Sequence, residues 1–236
     1  MIFLYEQLEG EEKMGIPNEV YFGEKPEGGG INYGEVRLID DDQRKLHILK
    51  SRLDVLLIGQ IRELSKTDVE GKRLIGSPFP LCILTLLSIE TLGRVIADIE
   101  KIKKESEFDQ SKKIVTPILG MMDPVLLHKP SKRFYEAFEL IHGTKDKKAI
   151  NRYSDVIHKY QRNTFNHGYQ ARGVFVDHSI NQFWILVEHQ GIMVINPYLF
   201  WIKFEQVYKE VFVKILSGKE VEWRNNALKY LEKLIL

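Results

Sequence analysis

The sequence predicts a mainly α-helical bundle with a small β-hairpin insertion before the C-terminal helices. Three observations predict it. Apolar residues recur at steps of three and four over residues 41–65 and again over 198–216, the period of an amphipathic helix. Residues 81–99 are apolar on most sides, as a helix at the centre of a bundle must be. Between residues 174 and 195 the pattern shifts to short apolar runs, with His189-Gln190-Gly191 as a hairpin turn.

At 236 residues and 44% hydrophobic, the chain can bury one full core. Two parts are expected. Residues 1–40 form an acidic, Gly/Pro-containing N-terminal extension, and residues 41–236 form the helical domain. In the extension, Gly15, Pro17, Gly23, Pro26, Gly28-Gly29-Gly30 and Gly34 interrupt every periodic run. Residues 19–22 and 34–38 fit extended chain. The glycine triplet lacks the Lys-Ser/Thr of a phosphate loop and reads as a turn.

Asp40-Asp41-Asp42 open the first helix, where acids satisfy free N–H groups and oppose the dipole. Leu46, Leu49, Leu53, Leu56, Leu57, Ile61 and Leu64 give it an apolar stripe to about residue 65. Residues 71–80 read as a loop. The second helix spans about 80–106; Glu90 and Arg94, four apart, are its polar exceptions. Residues 112–130 are apolar but carry Pro117, Gly120, Pro124 and Pro130, which predicts short helices or a bent connector. Ser131 caps a short helix carrying Phe134, Phe138 and Ile141 and closed by His142-Gly143. A further helical run opens around Asp146 and ends before Gly168. Strands at 174–176, 183–187 and 192–195 follow, and Asn196-Pro197 stops the last. Helices over 198–216 and 221–235 complete the chain. Phe200, Trp201, Phe204, Tyr208 and Phe212 exceed what one helix face needs, which fits either a dimer seam or a large core.

Composition narrows the function classes. Cys82 stands alone, so no internal disulfide forms, and a reducing cytoplasm fits. His47, His128, His142, His178 and His189 show no metal-ligand spacing; no metal and no cofactor is expected. Residues 1–6 are too short and too acidic a stretch for a secretory signal, and no uninterrupted 18-residue apolar run predicts a membrane span. The net charge of +1 hides an asymmetry: residues 1–42 hold 11 acids against 3 bases, whereas residues 101–172 hold 15 bases against 8 acids. A basic central third suits a phosphate-backbone ligand.

Within that basic third lies Arg162-Asn163-Thr164-Phe165-Asn166-His167. Arginine offers a permanent forked cation that matches phosphate oxygens, and histidine exchanges protons near neutral pH. Together they suit phosphodiester chemistry without a metal. Arg152 with His158 and Arg172 with His178 are similar pairs. Arg162 is preferred because a polar Asn163 follows it and its helix ends at a glycine.

The hexapeptide Arg162–His167 resembles the signature of HEPN domains, which carry Arg, a polar residue, further residues and His late in an all-helical bundle. Residues 84–94, ending in Glu90-Thr91-Leu92-Gly93-Arg94, look like that family's buried second helix. The likeness covers roughly residues 43–236 and is diffuse outside the motif. It implies an up-and-down HEPN-like bundle that dimerises with the two motif helices facing each other. It also implies a metal-independent endoribonuclease leaving 2′,3′-cyclic phosphate and 5′-hydroxyl ends, of the toxin, defence or stress-effector kind. In that role His167 is general base or acid, Arg162 holds the non-bridging oxygens and Asn163 orients Arg162 or the scissile phosphate. Glu90, His158, Tyr160, Asn166 and Tyr169 would support the site, and Lys145, Lys147, Lys148, Arg152, Lys159 and Arg172 would hold RNA. A regulatory partner such as an antitoxin fits the same picture. Two other readings stay open: a non-catalytic HEPN-like module binding RNA, a nucleotide or a protein, and an unrelated α-rich protein.

Overall fold

The computed structural model describes residues 18–66, 78–103, 106–144, 149–166 and 174–236, with backbone alone at 107–108 and 160–166. The described residues are mainly helical and form two small sheets. Strands β1 (Tyr21–Glu24) and β2 (Gly30–Asn32) pair antiparallel. Helix α1 (Tyr33–Arg37) follows at once, so residues 34–38 are not extended as the glycine pattern predicts. The cause is a local capping box: the Asn32 side chain accepts from the Glu35 N–H, and the Glu35 carboxylate accepts from the Asn32 N–H. Phe22, Ile31, Tyr33 and Val36 are buried in the same core as the long helices. The Arg52 guanidinium lies 4.3 Å from the Phe22 ring centre and donates to the Phe22 carbonyl. Residues 18–40 are thus packed against the helices.

Helix α2 (Asp42–Leu53) is capped by Asp41 and continues through a π-helical segment (Asp54–Gly59) into α3 (Gln60–Ser65). This is the helix expected over 41–65. Helix α4 (Pro78–Ile96) is the central element, with Leu81, Leu86, Ile89, Leu92 and Val95 buried. By length and composition α4 could cross a membrane; here it is mostly buried among other helices. It stops at Ile96, well before residue 106, because Asn226 Nδ2 donates to the Ile96 carbonyl at 2.9 Å and satisfies one of the terminal acceptors. A single turn, α5 (Ile99–Ile102), follows.

Helix α6 (Glu107–Met122) continues unbroken through Pro117, where the prolines predict short helices or a bent connector. Proline inside a helix costs roughly 3 kcal/mol. Burying Ile114, Val115, Ile118, Leu119 and Met122 outweighs it at roughly 1.5–3 kcal/mol for each side chain. Where α4 crosses α6, a Cβ at Gly93 would collide with the Ile114 carbonyl oxygen. A 3-10 turn (Pro124–Leu127) leads to α7 (Lys132–His142), capped by Ser131 Oγ accepting from the Phe134 N–H at 3.1 Å.

Helix α8 (Tyr153–Asn166) packs on α6, which also packs on α4. Strands β3 (Val174–Val176), β4 (Trp184–Val187) and β5 (Ile192–Ile195) form a sheet in the order β3-β5-β4. The β4–β5 hairpin is antiparallel, as expected, and β3 adds parallel to β5. Gly191 turns the hairpin at φ +58°, and a Cβ there would also strike the Phe138 backbone, so this turn rests on α7. Helix α9 (Pro197–Leu216) and helix α10 (Val221–Ile235) close the chain. Phe200, Trp201, Phe204, Tyr208 and Phe212 are all buried within the chain, which assigns the aromatic load to the core.

Candidate functional site

The helix that carries the Arg162 hexapeptide begins where an acid reaches backwards. Asp155 Oδ2 accepts from the Asn151 N–H at 2.7 Å and the Arg152 N–H at 3.0 Å. This is the third-residue half of a capping box, and it sets the helix start at Tyr153 instead of near Asp146. The same oxygen meets Lys112 Nζ of α6 at 2.9 Å, and the Asp155 side chain is 1% exposed. A carboxylate this deep is tolerated only when paired and multiply hydrogen-bonded.

One turn further on, His158 is fully buried, and its Nε2 lies 2.9 Å from Ser111 Oγ, again on α6. Tyr135 of α7 donates to the Ile150 carbonyl at 2.6 Å. Burial, with the Asp155 carboxylate and Tyr153 nearby, pushes its phenol above the ordinary value. Ser154 Oγ and Asp155 Oδ1 are buried without a hydrogen bond among the described residues. Two contacts, Lys112–Asp155 and Ser111–His158, therefore fix the rotation and height of α8 on α6. Sealed from solvent, His158 holds the helix; it does not present its ring to a ligand.

Arg162 and Asn163 sit in the last turns of α8, with Tyr160 and Asn166 on the same helix; their side chains are beyond what the structure describes. His167, Tyr169, Arg172, Lys145, Lys147 and Lys148 lie outside the described residues. Glu90 accepts from Arg94 at 3.0 Å within α4, the local ion pair that the four-residue spacing allows. Lys159 Nζ lies 6.0 Å from the Phe138 ring centre, and Arg152 is exposed. Among the described residues, no group of three or more His, Cys, Asp or Glu is placed to hold a metal. An open groove of about 700 Å³ runs beside β4, lined by residues including Asp123, Trp184, Leu199 and Lys203. None of the residues singled out from the sequence lines it, and its bulk is apolar, so the motif helix remains the candidate site.

Asp155, Ser111 and Lys112 went unnoticed in the sequence. Asp155 had a signal, since it stands three residues before His158 on a helical period. Ser111 and Lys112 had none, because their helix looked broken by Pro117. No family model, no curated protein and no solved structure matches the chain.

Proposed function

We propose that this chain is a metal-independent endoribonuclease acting through Arg162, Asn163 and His167. The supporting observation is the anchoring of α8. Buried Asp155 and His158 tie it to α6 through an ion pair to Lys112 and a hydrogen-bond contact with Ser111, and Arg162 follows His158 by one helical turn. A catalytic arginine needs a rigid base, because misplacement of about 1 Å can cost about a hundredfold in rate.

In the reaction, the RNA 2′-hydroxyl loses its proton and attacks the adjacent phosphorus. The bond from phosphorus to the 5′-oxygen breaks, and that oxygen takes up a proton. The products are a 2′,3′-cyclic phosphate and a 5′-hydroxyl. His167 carries one of these protons. Arg162 holds the non-bridging oxygens as charge builds on them, and Asn163 orients the phosphate. The same reading pairs two copies through α8 as a homodimer and casts the protein as a toxin or defence effector restrained by a protein partner.

The test is cleavage of mixed RNA in excess EDTA, with product ends mapped. Cutting by wild type to cyclic-phosphate ends, abolished in folded Arg162→Ala and His167→Ala, supports the enzyme. Folded wild type that cuts nothing would instead favour the non-catalytic binding module.

A further inference from the structure

The basic residues named from the sequence run from Lys145 to Arg172. The fold adds others from a different segment. Tyr153 N–H donates to the His128 carbonyl at 3.1 Å, and Tyr153 Oη accepts from the Ser131 N–H at 3.2 Å. These two bonds bring residues 128–133 against the start of α8. Lys129, Lys132, Arg133 and Arg152 are thereby gathered at one end of α7 and α8, all exposed.

This face is cationic and poorly neutralised. Lys129, Arg133 and Arg152 have no acidic partner among the described residues. Lys132 meets only Glu136, at 3.8 Å with the two side chains 90% and 61% exposed, a geometry that contributes little. Asp155, in the first turn of α8, is buried and already engaged with Lys112. The clustering does not serve stability. The first turn of α7 holds Lys132 and Arg133 and no acid, the reverse of what the helix dipole favours. Four cations kept together against their own repulsion fit a polyanion with regularly spaced charges.

We infer that Lys129, Lys132, Arg133 and Arg152 form a docking surface for the phosphate backbone of single-stranded RNA. Arg152 stands immediately before α8 and ten residues ahead of Arg162, about 15 Å at the rise of a helix. The surface therefore holds nucleotides flanking the cleavage point and positions the strand without reading its sequence. The choice of RNA among polyanions rests on the ribonuclease reading; the charge of the surface does not.

The test measures binding, so it is separate from catalysis. A 2′-O-methyl oligonucleotide, which lacks the attacking hydroxyl, is titrated by fluorescence anisotropy over a salt series. The variants are Lys129→Ala/Arg133→Ala/Arg152→Ala and, as a charge-matched control on other faces, Lys203→Ala/Lys219→Ala/Lys229→Ala. Each phosphate contact on a single strand contributes about 0.7 to the slope of log K against log salt. The first variant should lower that slope by about 2 in magnitude, and the control should leave it unchanged. Equal slopes in the first variant and wild type, with both folded by circular dichroism, would overturn the proposal. So would wild type that binds anionic lipid vesicles but no oligonucleotide. Salt-sensitive binding lost in the first variant, in a wild type that cuts no RNA, would uphold the surface and sink the nuclease.

Discussion

Ser111 Oγ and His158 Nε2 lie 2.9 Å apart, joining half-buried Ser111 of α6 to fully buried His158 of α8. A buried donor or acceptor stripped of its partner costs about 1–3 kcal/mol. Ser111→Ala should therefore lower stability by about 2 kcal/mol, read as a shift of the urea midpoint with an unchanged slope. If His158 positions the motif helix, Ser111→Ala should also lower kcat for RNA cleavage with little change in KM. An unchanged kcat would leave the bond purely structural.

The Lys112–Asp155 pair predicts strong coupling. Removing one partner of a buried pair strands the other and costs roughly 3–5 kcal/mol. Asp155→Ala should fall in that range, because two backbone N–H groups also lose their acceptor. Lys112→Met should cost less, since Lys112 is 20% exposed. In a double-mutant cycle the combined variant should be clearly more stable than the two losses added. Simple additivity would show that the contact carries no coupling.

Gly93 marks the closest approach of α4 to α6. A methyl group there would overlap the Ile114 carbonyl, and backbone cannot turn aside as a side chain can. Gly93→Ala should destabilise by about 3 kcal/mol, despite the better helix propensity of alanine. Thermal unfolding followed by calorimetry would measure it, and a neutral or stabilising result would refute the tight crossing.

Two buried acids set an alkaline limit. Burial pushes the Cys82 thiol up to about 12 from its ordinary value of 9.0. Burial, reinforced by the Asp54 carboxylate that accepts its hydrogen bond at 2.8 Å, holds the Tyr208 phenol far above its usual 10.0. Both folded-state values are raised, so the unfolded chain releases these protons first. Their contribution is intact below pH 9 and is lost as pH climbs from 9 through 12, by up to about 1.4 kcal/mol per unit for each group. Tyr208→Phe should flatten the part of this decline above pH 10. Cys82 should react with a thiol reagent only at the rate of unfolding; fast labelling of the folded protein at neutral pH would contradict its burial.

The long helices were legible because their residues announce them locally. Leu46, Leu49, Leu53 and Ile61 repeat at helical spacing, and the run from Leu81 to Ile96 is too apolar for anything but a centre. The hairpin was legible through His189-Gln190-Gly191, where glycine takes the left-handed turn. The end of α4 was not, since it depends on an Asn226 amide 130 residues away. Pro117 signals a break locally, but the five side chains that α6 buries override its penalty.

The sequence by itself determined the helical class, the hairpin, the basic middle and the Arg162–His167 motif, all carried by neighbours along the chain. Only the tertiary structure decided that the aromatic face of α9 is core, that Asp155 and His158 are clamped to Lys112 and Ser111, and that residues 128–133 lie beside Arg152. The physical reason is common to all three. Burial and charge pairing depend on which segments meet, and contacts between residues some 20 to 47 positions apart, such as Ser131 with Tyr153 and Ser111 with His158, leave no periodic trace in the chain.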